Sequence, residues 1–226
     1  MRLIIFDFDD TIIDNTLLDL DSFRYLTKNY RLDFIDDQKI LRWRRKGMLA
    51  KNIIKKMIQK NKNYELELLI KARLDYLKKG GLGLKLVRPK PCVNVVLRKL
   101  KEDGYHIVIA TRRTNFSIIK KILKKIQVDE FIDSVYYFQH FVRNKSKYPE
   151  NYNQLKKNLY ELAISDYEMK SKIDRIIVVG NLKSDIIPAI ELKIENFAIK
   201  GSYRFDTGVK KLTKTLESLD ELFRYI

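Results

Sequence analysis

Two aspartates separated by one residue, Asp7 and Asp9, follow an apolar run near the start of the chain, where residues 3–11 read LIIFDFDDT. Alternate side chains of an extended segment share a face, so these carboxylates leave the same side of the backbone. Such a pair can divide the work of phosphoryl transfer, because one carboxylate attacks phosphorus while the other handles the proton. The negative charge that they concentrate favours a bound metal cation. The simpler alternative is a strand followed by an acidic turn.

Apolar runs and helical patterns alternate along the rest of the chain. Apolar runs predict parallel strands buried on both faces, and helical patterns separate most of them, which indicates an α/β fold with a doubly wound parallel sheet. Ligands bind beyond the carboxyl ends of the strands in that architecture. The residues at those ends are Asp7, Thr111 and the pair Gly180-Asn181. The predicted strands are residues 3–6, 106–110, 134–138, 175–179 and 196–199, and the clearest helices are 93–102, 115–126 and 151–163.

A long helical stretch separates the first predicted strand from the second. Residues 15–79 are rich in Leu, Lys and Arg at helical spacing and contain one glycine, which predicts three or four helices. A glycine-rich segment, residues 80–83, then provides a flexible exit. We therefore expect a core domain made of residues 1–14 and 84–226 and an inserted helical domain of residues 15–83.

The order of buried strand, DxDxT and helical insert resembles the first motif of the haloacid dehalogenase (HAD) superfamily. The resemblance implies a HAD-like Rossmannoid core in which Asp7 is the nucleophile that becomes an aspartyl phosphate and Asp9 is the general acid and base. The insert is similar to the C1 cap of that family, which closes over the active site and contributes substrate contacts.

A hydroxyl ends the second predicted strand, where IVIATRRTNFS places Thr111 and the amides that follow it at the start of a helix. Such a group can face a phosphate. The position resembles the second HAD motif, whose Ser or Thr hydrogen-bonds the transferring phosphoryl group. Arg112 and Arg113 add donors that could reach a substrate anion or could simply face solvent, and the sequence does not decide between these roles.

The third HAD motif supplies a lysine that offsets the charge near the nucleophile. The usual family spacing falls on Ser146, so Lys145 and Lys147 both compete for this place, with a slight preference for Lys147. The alternative for each is an exposed lysine in a basic chain.

The segment RIIVVGNLKSDIIPA resembles the fourth HAD motif, most often GDxxxD, with Asn181 at the first aspartate position and Asp185 at the second. The resemblance implies a Mg²⁺ ion held by Asp7, the main-chain oxygen of Asp9 and this motif. Asn181 departs from the family pattern, but an amide carbonyl is still a hard oxygen ligand. Whether Asn181 or Asp185 ligates the ion directly stays open here.

Composition limits the setting and the partners. The 226 residues are 45% apolar and 33% charged, with one cysteine, Cys92, and no apolar run long enough for a membrane span, so we expect a cytoplasmic protein. The net charge of +17 raises the possibility of a nucleic-acid partner, and residues 42–46 form the densest basic cluster. AT-rich coding or heat adaptation would explain the same composition, and the basic cluster would then be a solvated helix face.

These observations lead to one expected function and several alternatives. We expect a Mg²⁺-dependent HAD-like phosphatase that hydrolyses a small phosphate monoester through an aspartyl-phosphate intermediate. Asp9 favours this chemistry over dehalogenation, because dehalogenases of the family lack the second aspartate, although a phosphomutase needs the same pair. The alternatives are a nucleotide or nucleic-acid end phosphatase that uses the basic cap, and a catalytically weak binding protein with the HAD fold.

Overall fold

The computed structural model describes residues 1–46, 48–58, 64–78, 84–139, 152–201 and 207–226. Within these residues the chain forms one six-stranded sheet, a two-stranded ladder and helices that pack on both faces of the sheet and beside it.

The main sheet confirms the expected doubly wound architecture. Its strands are β1 Arg2–Phe6, β4 Tyr105–Thr111, β5 Ser134–Tyr137, β6 Arg175–Gly180, β7 Glu195–Ile199 and β8 Lys214–Leu216. Their order in the sheet is β5-β4-β1-β6-β7-β8, and every described pairing between neighbours is parallel. β1 lies at the centre, with Phe6 opposite Ile109 of one neighbour and Val179 of the other.

Alternation along β1 explains why the sheet is covered on both sides. Ile4 and Phe6 belong to one buried apolar cluster, whereas Leu3 and Ile5 belong to another. Successive side chains of a strand point to opposite faces, so a strand that is apolar throughout needs helices above and below it.

Those helices divide between the two faces as expected. α5 (Val93–Glu102) and α6 (Phe116–Lys125) contribute to the cluster that contains Phe6, and α7 (Tyr152–Glu168) contributes to the cluster that contains Ile5. α8 (Lys183–Glu191) follows β6 and packs against α7. α7 is longer than its sequence pattern indicated.

Four helices lie within residues 15–79 in the described part of the chain, which agrees with the three or four expected there. Their buried residues form a separate apolar cluster that includes Phe23, Leu26, Ile53 and Leu69. A two-stranded antiparallel ladder, β2 (Ile13–Asp14) with β3 (Arg88–Pro89), joins the chain entering this helical segment to the chain leaving it. These elements are β2 Ile13–Asp14, α1 Thr16–Tyr30, α2 Asp37–Arg45, α3 Ala50–Met57, α4 Leu66–Lys78 and β3 Arg88–Pro89.

The sequence does not predict the three shortest strands. β2 and β3 have two residues each and β8 has three, which is too short for an alternating pattern to stand out. No helix within the described residues is long and apolar enough to cross a membrane.

Candidate active site

Asp7 directly follows β1 and is held in place by its backbone and by its side chain. Its N–H donates to the carbonyl of Val179 at 2.8 Å, which extends the pairing of β1 with β6 by one residue. One carboxylate oxygen, Oδ2, accepts a hydrogen bond from the Thr11 hydroxyl at 3.3 Å. The Asp7 side chain is buried at the carboxyl end of the central strand, so protein groups surround it.

The cation next to Asp7 is Lys156, on the second turn of α7. Its fully buried ammonium group donates to Asp7 Oδ1 at 2.6 Å and to the carbonyl of Ala110 at 2.6 Å. The sequence had suggested Lys145 or Lys147 for this place, and both lie outside the described residues. Among the residues that the structure describes, Lys156 has the position that the expected lysine requires.

A second carboxylate shares the same ammonium group. Asp185 Oδ1 lies 3.0 Å from Lys156 Nζ, so two buried carboxylates flank one buried cation. Burial, followed by the charge of Asp185, raises the pKa of Asp7 from 3.8 to about 6. Burial alone would lower the pKa of Lys156, but the charges of Asp185 and Asp7 outweigh it and raise that pKa. The cluster therefore has a surplus of negative charge that a further cation would relieve.

Asp9 has a different environment, although it lies only two residues from Asp7. The Arg113 guanidinium donates to both of its carboxylate oxygens, with distances of 2.7 to 3.2 Å, and the Asn15 side-chain amide donates to Oδ1. Desolvation favours the neutral form of Asp9, but Arg113 outweighs it and lowers the pKa. The Asp9 side chain keeps 42% of its surface exposed, so it faces the open space in front of the sheet.

Thr111 ends β4 at the same edge of the sheet. It is buried one residue beyond Ala110, whose carbonyl accepts from Lys156. Its hydroxyl oxygen accepts a hydrogen bond from the backbone N–H of Arg113 at 3.3 Å. The structure thus brings Thr111 to the carboxyl end of the strand beside β1, as the parallel pairing of these strands requires.

The segment after β6 forms the third side of the site. The side-chain nitrogen Nδ2 of Asn181 donates to Asp10 Oδ2 at 3.4 Å. The side-chain oxygen Oδ1 of Asn181 therefore points away from Asp10. Asp185 Oδ2 accepts the backbone N–H groups of Asn181 and Leu182, at 3.2 and 2.9 Å. Asp185 therefore stabilises the turn between β6 and α8 with one oxygen and contacts Lys156 with the other.

The donor set fits magnesium when amide and carbonyl oxygens are counted. No group of three or more His, Cys, Asp or Glu side chains suited to a metal ion occurs among the described residues. Mg²⁺, however, keeps several waters and needs only one or two protein carboxylates beside a substrate phosphate. Asp7 supplies such a carboxylate, and the turn that carries Asn181 directly follows the strand paired with β1. The negative surplus around Lys156 would favour a cation at this place.

A cavity of about 400 Å³ opens beside Asp9, between the end of the sheet and the inserted helices. The sheet side contributes Asp9 and the loop after β4, and the helical side contributes α1, α2 and α4. Charged and amide side chains account for much of its wall, namely Asp9, Asn15, Asp19, Arg44, Arg73, Arg112, Arg113 and Asn115.

Sequence reasoning missed three contacts of this site. Lys156 lies three and four residues before the buried Leu159 and Tyr160, so it is a lysine on the apolar stripe of α7. That spacing was a usable signal. The threonine of the DxDxT pattern, Thr11, has no role that the sequence indicates, and the sequence leaves the role of Arg113 open. Nothing in the local sequence of Arg113 distinguishes it from its neighbour Arg112.

Comparisons with known proteins identify a matching family model and solved structures with the same fold. A family model described as haloacid dehalogenase-like hydrolase matches residues 4–199. No curated protein matches the chain significantly in sequence. Solved structures with the same fold include a haloacid dehalogenase-like family hydrolase from Streptococcus pneumoniae, with 18% identity and a TM-score of 0.73 over 100% of this chain and 98% of that one.

Two further structures share the fold. A predicted phosphoglycolate phosphatase from Haemophilus somnus has 18% identity and a TM-score of 0.69, over 99% of this chain and 97% of that one. CbbY from Rhodobacter sphaeroides, solved in complex with phosphate, has 15% identity and a TM-score of 0.63, over 98% of this chain and 96% of that one. At these identities the likeness concerns the fold.

Proposed function

The chain belongs to the haloacid dehalogenase-like hydrolase family, and from this premise we propose that it is a Mg²⁺-dependent phosphatase acting on a small phosphate monoester. The observation that carries the proposal is the buried Asp7 carboxylate at the end of β1, in contact with Lys156 and next to Asp9. This arrangement offers a nucleophile, a fixed cation and a proton donor within one edge of a parallel sheet.

In the first step Asp7 attacks phosphorus in line with the ester oxygen. A bond forms between the carboxylate and phosphorus while the bond to the leaving oxygen breaks, which yields an aspartyl phosphate. Lys156 stabilises the negative charge near the nucleophile, and Thr111 supplies a hydroxyl at the adjacent strand end. Both groups are buried and already positioned, so little reorganisation is needed when the substrate binds.

Asp9 has the proton-transfer role in this proposal. In its neutral form it protonates the leaving oxygen, and as a carboxylate it then takes a proton from the water that hydrolyses the aspartyl phosphate. Arg113 holds Asp9 ionised in the free enzyme. An anionic substrate competes for the same guanidinium, and weakening this ion pair raises the pKa of Asp9 toward the value that an acid requires.

Asp7, the main-chain carbonyl of Asp9 and the Asn181 side-chain oxygen would hold the metal ion. Bound Mg²⁺ would neutralise phosphoryl charge and orient the phosphoryl oxygens. Asp185 already engages backbone N–H groups with one oxygen and Lys156 with the other. We therefore assign Asp185 to positioning Lys156 and the turn, and Asn181 to direct ligation.

The inserted helices form a cap in this proposal, with residues 15–83 as the cap domain and residues 1–14 and 84–226 as the core domain. Two observations support the division. The helical segment has its own apolar cluster, and the β2–β3 ladder joins its two connections to the core. The cavity beside Asp9 is lined from both sides, which suits a substrate enclosed between cap and core.

Hydrolysis of an activated aryl phosphate by the purified protein tests the proposed function. We expect turnover that requires Mg²⁺, is abolished by a chelator and is lost in Asp7→Asn. The control is Asp129→Asn, which makes the same chemical change at an exposed position remote from the site. Turnover by Asp7→Asn comparable to that of the control would remove Asp7 as the nucleophile.

A second candidate, an end phosphatase of nucleic acid, rests on the basic surface of the inserted helices. Lys39 and Lys56 lie 5.3 and 5.5 Å from the centre of the half-buried Trp43 ring, and both lysines are exposed. Cations around an aromatic side chain suit a nucleic-acid strand. The same contacts also pack Trp43 against its own helices, so we place this candidate second.

A further inference from the structure

We propose that Tyr160, which the mechanism above does not use, is a positioning residue of the active site. Its hydroxyl ties the first turn of α8 to α7 and so keeps the Asp185 carboxylate in contact with Lys156. This inference rests on the phosphatase function proposed above and adds a residue that acts on the reaction through Asp185. It follows from two contacts to Asp185, from the proline within α8 and from the complete burial of the tyrosine.

Lys156 and Tyr160 lie one turn apart on the same face of α7, because residues four apart on a helix are neighbours. Both side chains reach Asp185 on α8. The Tyr160 hydroxyl donates to the main-chain carbonyl of Asp185 at 3.2 Å, and the Lys156 ammonium nitrogen lies 3.0 Å from Asp185 Oδ1. One face of α7 therefore holds both the main chain and the side chain of Asp185.

The first turn of α8, which carries Asp185, is weakened by a proline. α8 has nine residues, and Pro188 is the sixth of them. Proline has no N–H group, so it cannot donate to the carbonyl of Ser184 four residues earlier, and its ring crowds that carbonyl. A short helix that loses one of its few internal hydrogen bonds depends more on tertiary contacts. The hydrogen bond from Tyr160 to the next carbonyl, that of Asp185, is such a contact.

Burial makes the Tyr160 hydroxyl a permanent donor. The side chain is fully buried, and a buried hydroxyl needs a hydrogen-bond partner. Burial, together with the charges of Asp185 and Asp7, raises the pKa of Tyr160 well above its usual value, so the hydroxyl keeps its proton. The centre of the ring also lies 6.0 Å from Lys156 Nζ, so the ring forms part of the wall around the ammonium group.

The contacts of Asp185 carry the effect of Tyr160 to the reacting groups. One carboxylate oxygen of Asp185 holds Lys156, which contacts Asp7 at 2.6 Å. The other oxygen accepts the backbone N–H of Asn181 at 3.2 Å. A shift of the first turn of α8 would therefore disturb both the cation beside Asp7 and the turn that carries Asn181.

The variant Tyr160→Phe tests this inference, because it keeps the ring and removes only the hydroxyl. With an activated aryl phosphate at saturating Mg²⁺ we expect kcat to fall by about tenfold and KM to change by less than about twofold, since alignment is lost while substrate contacts remain. Half-maximal activity should also require more Mg²⁺, because the turn with Asn181 is held less firmly. Parent values of kcat and of the Mg²⁺ midpoint would overturn the inference.

The matched control is Tyr167→Phe. Tyr167 is a second buried tyrosine on α7, and its hydroxyl lies 3.2 Å from that of Ser134, which begins β5 at the amino ends of the strands and so lies away from the site. We expect this control to lose a comparable amount of stability and to keep the parent kcat. Equal losses of kcat in the two variants would indicate a general effect of packing on α7 and would overturn the inference.

Unfolding without substrate separates this inference from the proposed function. Urea unfolding in the presence of a chelator measures the loss of stability caused by Tyr160→Phe in the parent and in the Asp185→Asn background. The loss should be smaller in the Asp185→Asn background, because the turn that Tyr160 holds is then already detached from Lys156. Equal losses in both backgrounds would overturn the inference even if the parent protein is an active phosphatase. A smaller loss in that background, with a parent that has no turnover, would support the contact between α7 and α8 and reject the phosphatase function.

Discussion

Asp7 and Asp185 lie on either side of one ammonium group, that of Lys156, and all three side chains are buried. The chain therefore places more negative than positive charge in its interior at the site where a reaction with phosphate would occur. Burial and the neighbouring carboxylate both favour the protonated form of Asp7, which is why its pKa rises to about 6. Strongly shifted pKa values of this kind cluster at functional sites.

The variant Asp7→Asn should make the metal-free protein more stable at pH 7. It removes a carboxylate that is ionised at this pH although burial and the charge of Asp185 disfavour its ionised form. The shift of the pKa from 3.8 to about 6 sets an upper limit of about 3 kcal/mol on the gain in the free energy of unfolding. Urea unfolding in the presence of a chelator measures this change. Loss of stability in the variant would mean that the ion pair with Lys156 outweighs burial and repulsion.

The pH dependence of stability gives a second measurement of the same effect. The folded protein keeps the Asp7 proton up to about pH 6, whereas the unfolded chain releases it near 3.8. The contribution of Asp7 to stability is therefore fully present below pH 3.8 and is lost as the pH rises through about 6. Asp7→Asn should lack this decline. The contribution of Asp9 to stability changes with pH in the opposite direction. Because its pKa is lowered, ionised Asp9 stabilises the folded protein above pH 3.8, and this contribution is lost as the pH falls through the lowered pKa.

The variant Asp9→Asn should slow hydrolysis of a poor leaving group by about a hundredfold to ten-thousandfold, the usual contribution of a positioned acid or base. An activated aryl ester needs no proton on its leaving oxygen, so the aspartyl phosphate should still form and accumulate. Mass spectrometry of the quenched variant detects this intermediate. Equal rate losses for activated and poor leaving groups would contradict the acid role of Asp9.

The variant Asn181→Asp tests direct ligation of the metal ion. A carboxylate in place of the amide restores a negative charge, so half-maximal activity should be reached at a lower Mg²⁺ concentration than in the parent. Asp185→Asn should mainly weaken the ion pair with Lys156, and it should therefore reduce activity even at saturating Mg²⁺. An unchanged Mg²⁺ midpoint for Asn181→Asp, together with a large shift for Asp185→Asn, would make Asp185 the direct ligand.

At the scale of elements, the connection from β6 to α8 depends on close contact between Gly180 and Asp185. A Cβ atom at position 180 would lie 2.3 Å from the Cβ and 2.7 Å from the Cγ of Asp185, both of which are atoms near the backbone. The absence of a side chain at position 180 therefore allows the first turn of α8 to fold back on the strand end. This fold-back brings Asp185 to Lys156.

The variant Gly180→Ala should destabilise the protein by on the order of 1 to 3 kcal/mol, as is usual for overpacking in a rigid core. Activity should fall as well, because the turn that carries Asn181 and Asp185 has to move away. Urea unfolding and the Mg²⁺ dependence of turnover measure the two effects. Wild-type stability in this variant would show that α8 can shift without cost.

At the scale of the whole molecule, the net charge of +17 predicts attraction to polyanions without specifying a site. We expect a single-stranded oligonucleotide to bind the protein at low ionic strength and to dissociate steeply as salt is raised. The cavity of about 400 Å³ suits a small substrate, so a terminal phosphate should be removed far more slowly than that of a small ester.

Salt titration of oligonucleotide binding, with terminal phosphate release measured in parallel, checks this expectation. Efficient release at moderate salt that is lost in Lys39→Gln or Lys56→Gln would favour the end-phosphatase candidate instead. Binding without release would show that the charge acts over the whole surface rather than at the catalytic edge of the sheet.

The features of this protein that depend on local patterns can be predicted from its sequence. Every predicted strand of the main sheet appears within one residue of its expected bounds, because a strand buried on both faces must be apolar throughout. The positions of Asp7, Asp9, Thr111 and Asn181 at strand ends followed from the same alternation of strands and helices.

Which side chains meet depends on the three-dimensional packing of the chain. Lys156, Arg113 and the arginines around Asp19 come from segments far apart in the chain, and their partners depend on how helices pack against the sheet and against each other. The place of Lys156 on the apolar stripe of α7 indicates burial, but it does not identify the carboxylate that the lysine meets. Packing selects that partner, since desolvation makes an unpaired buried charge costly and so favours each buried cation beside an anion.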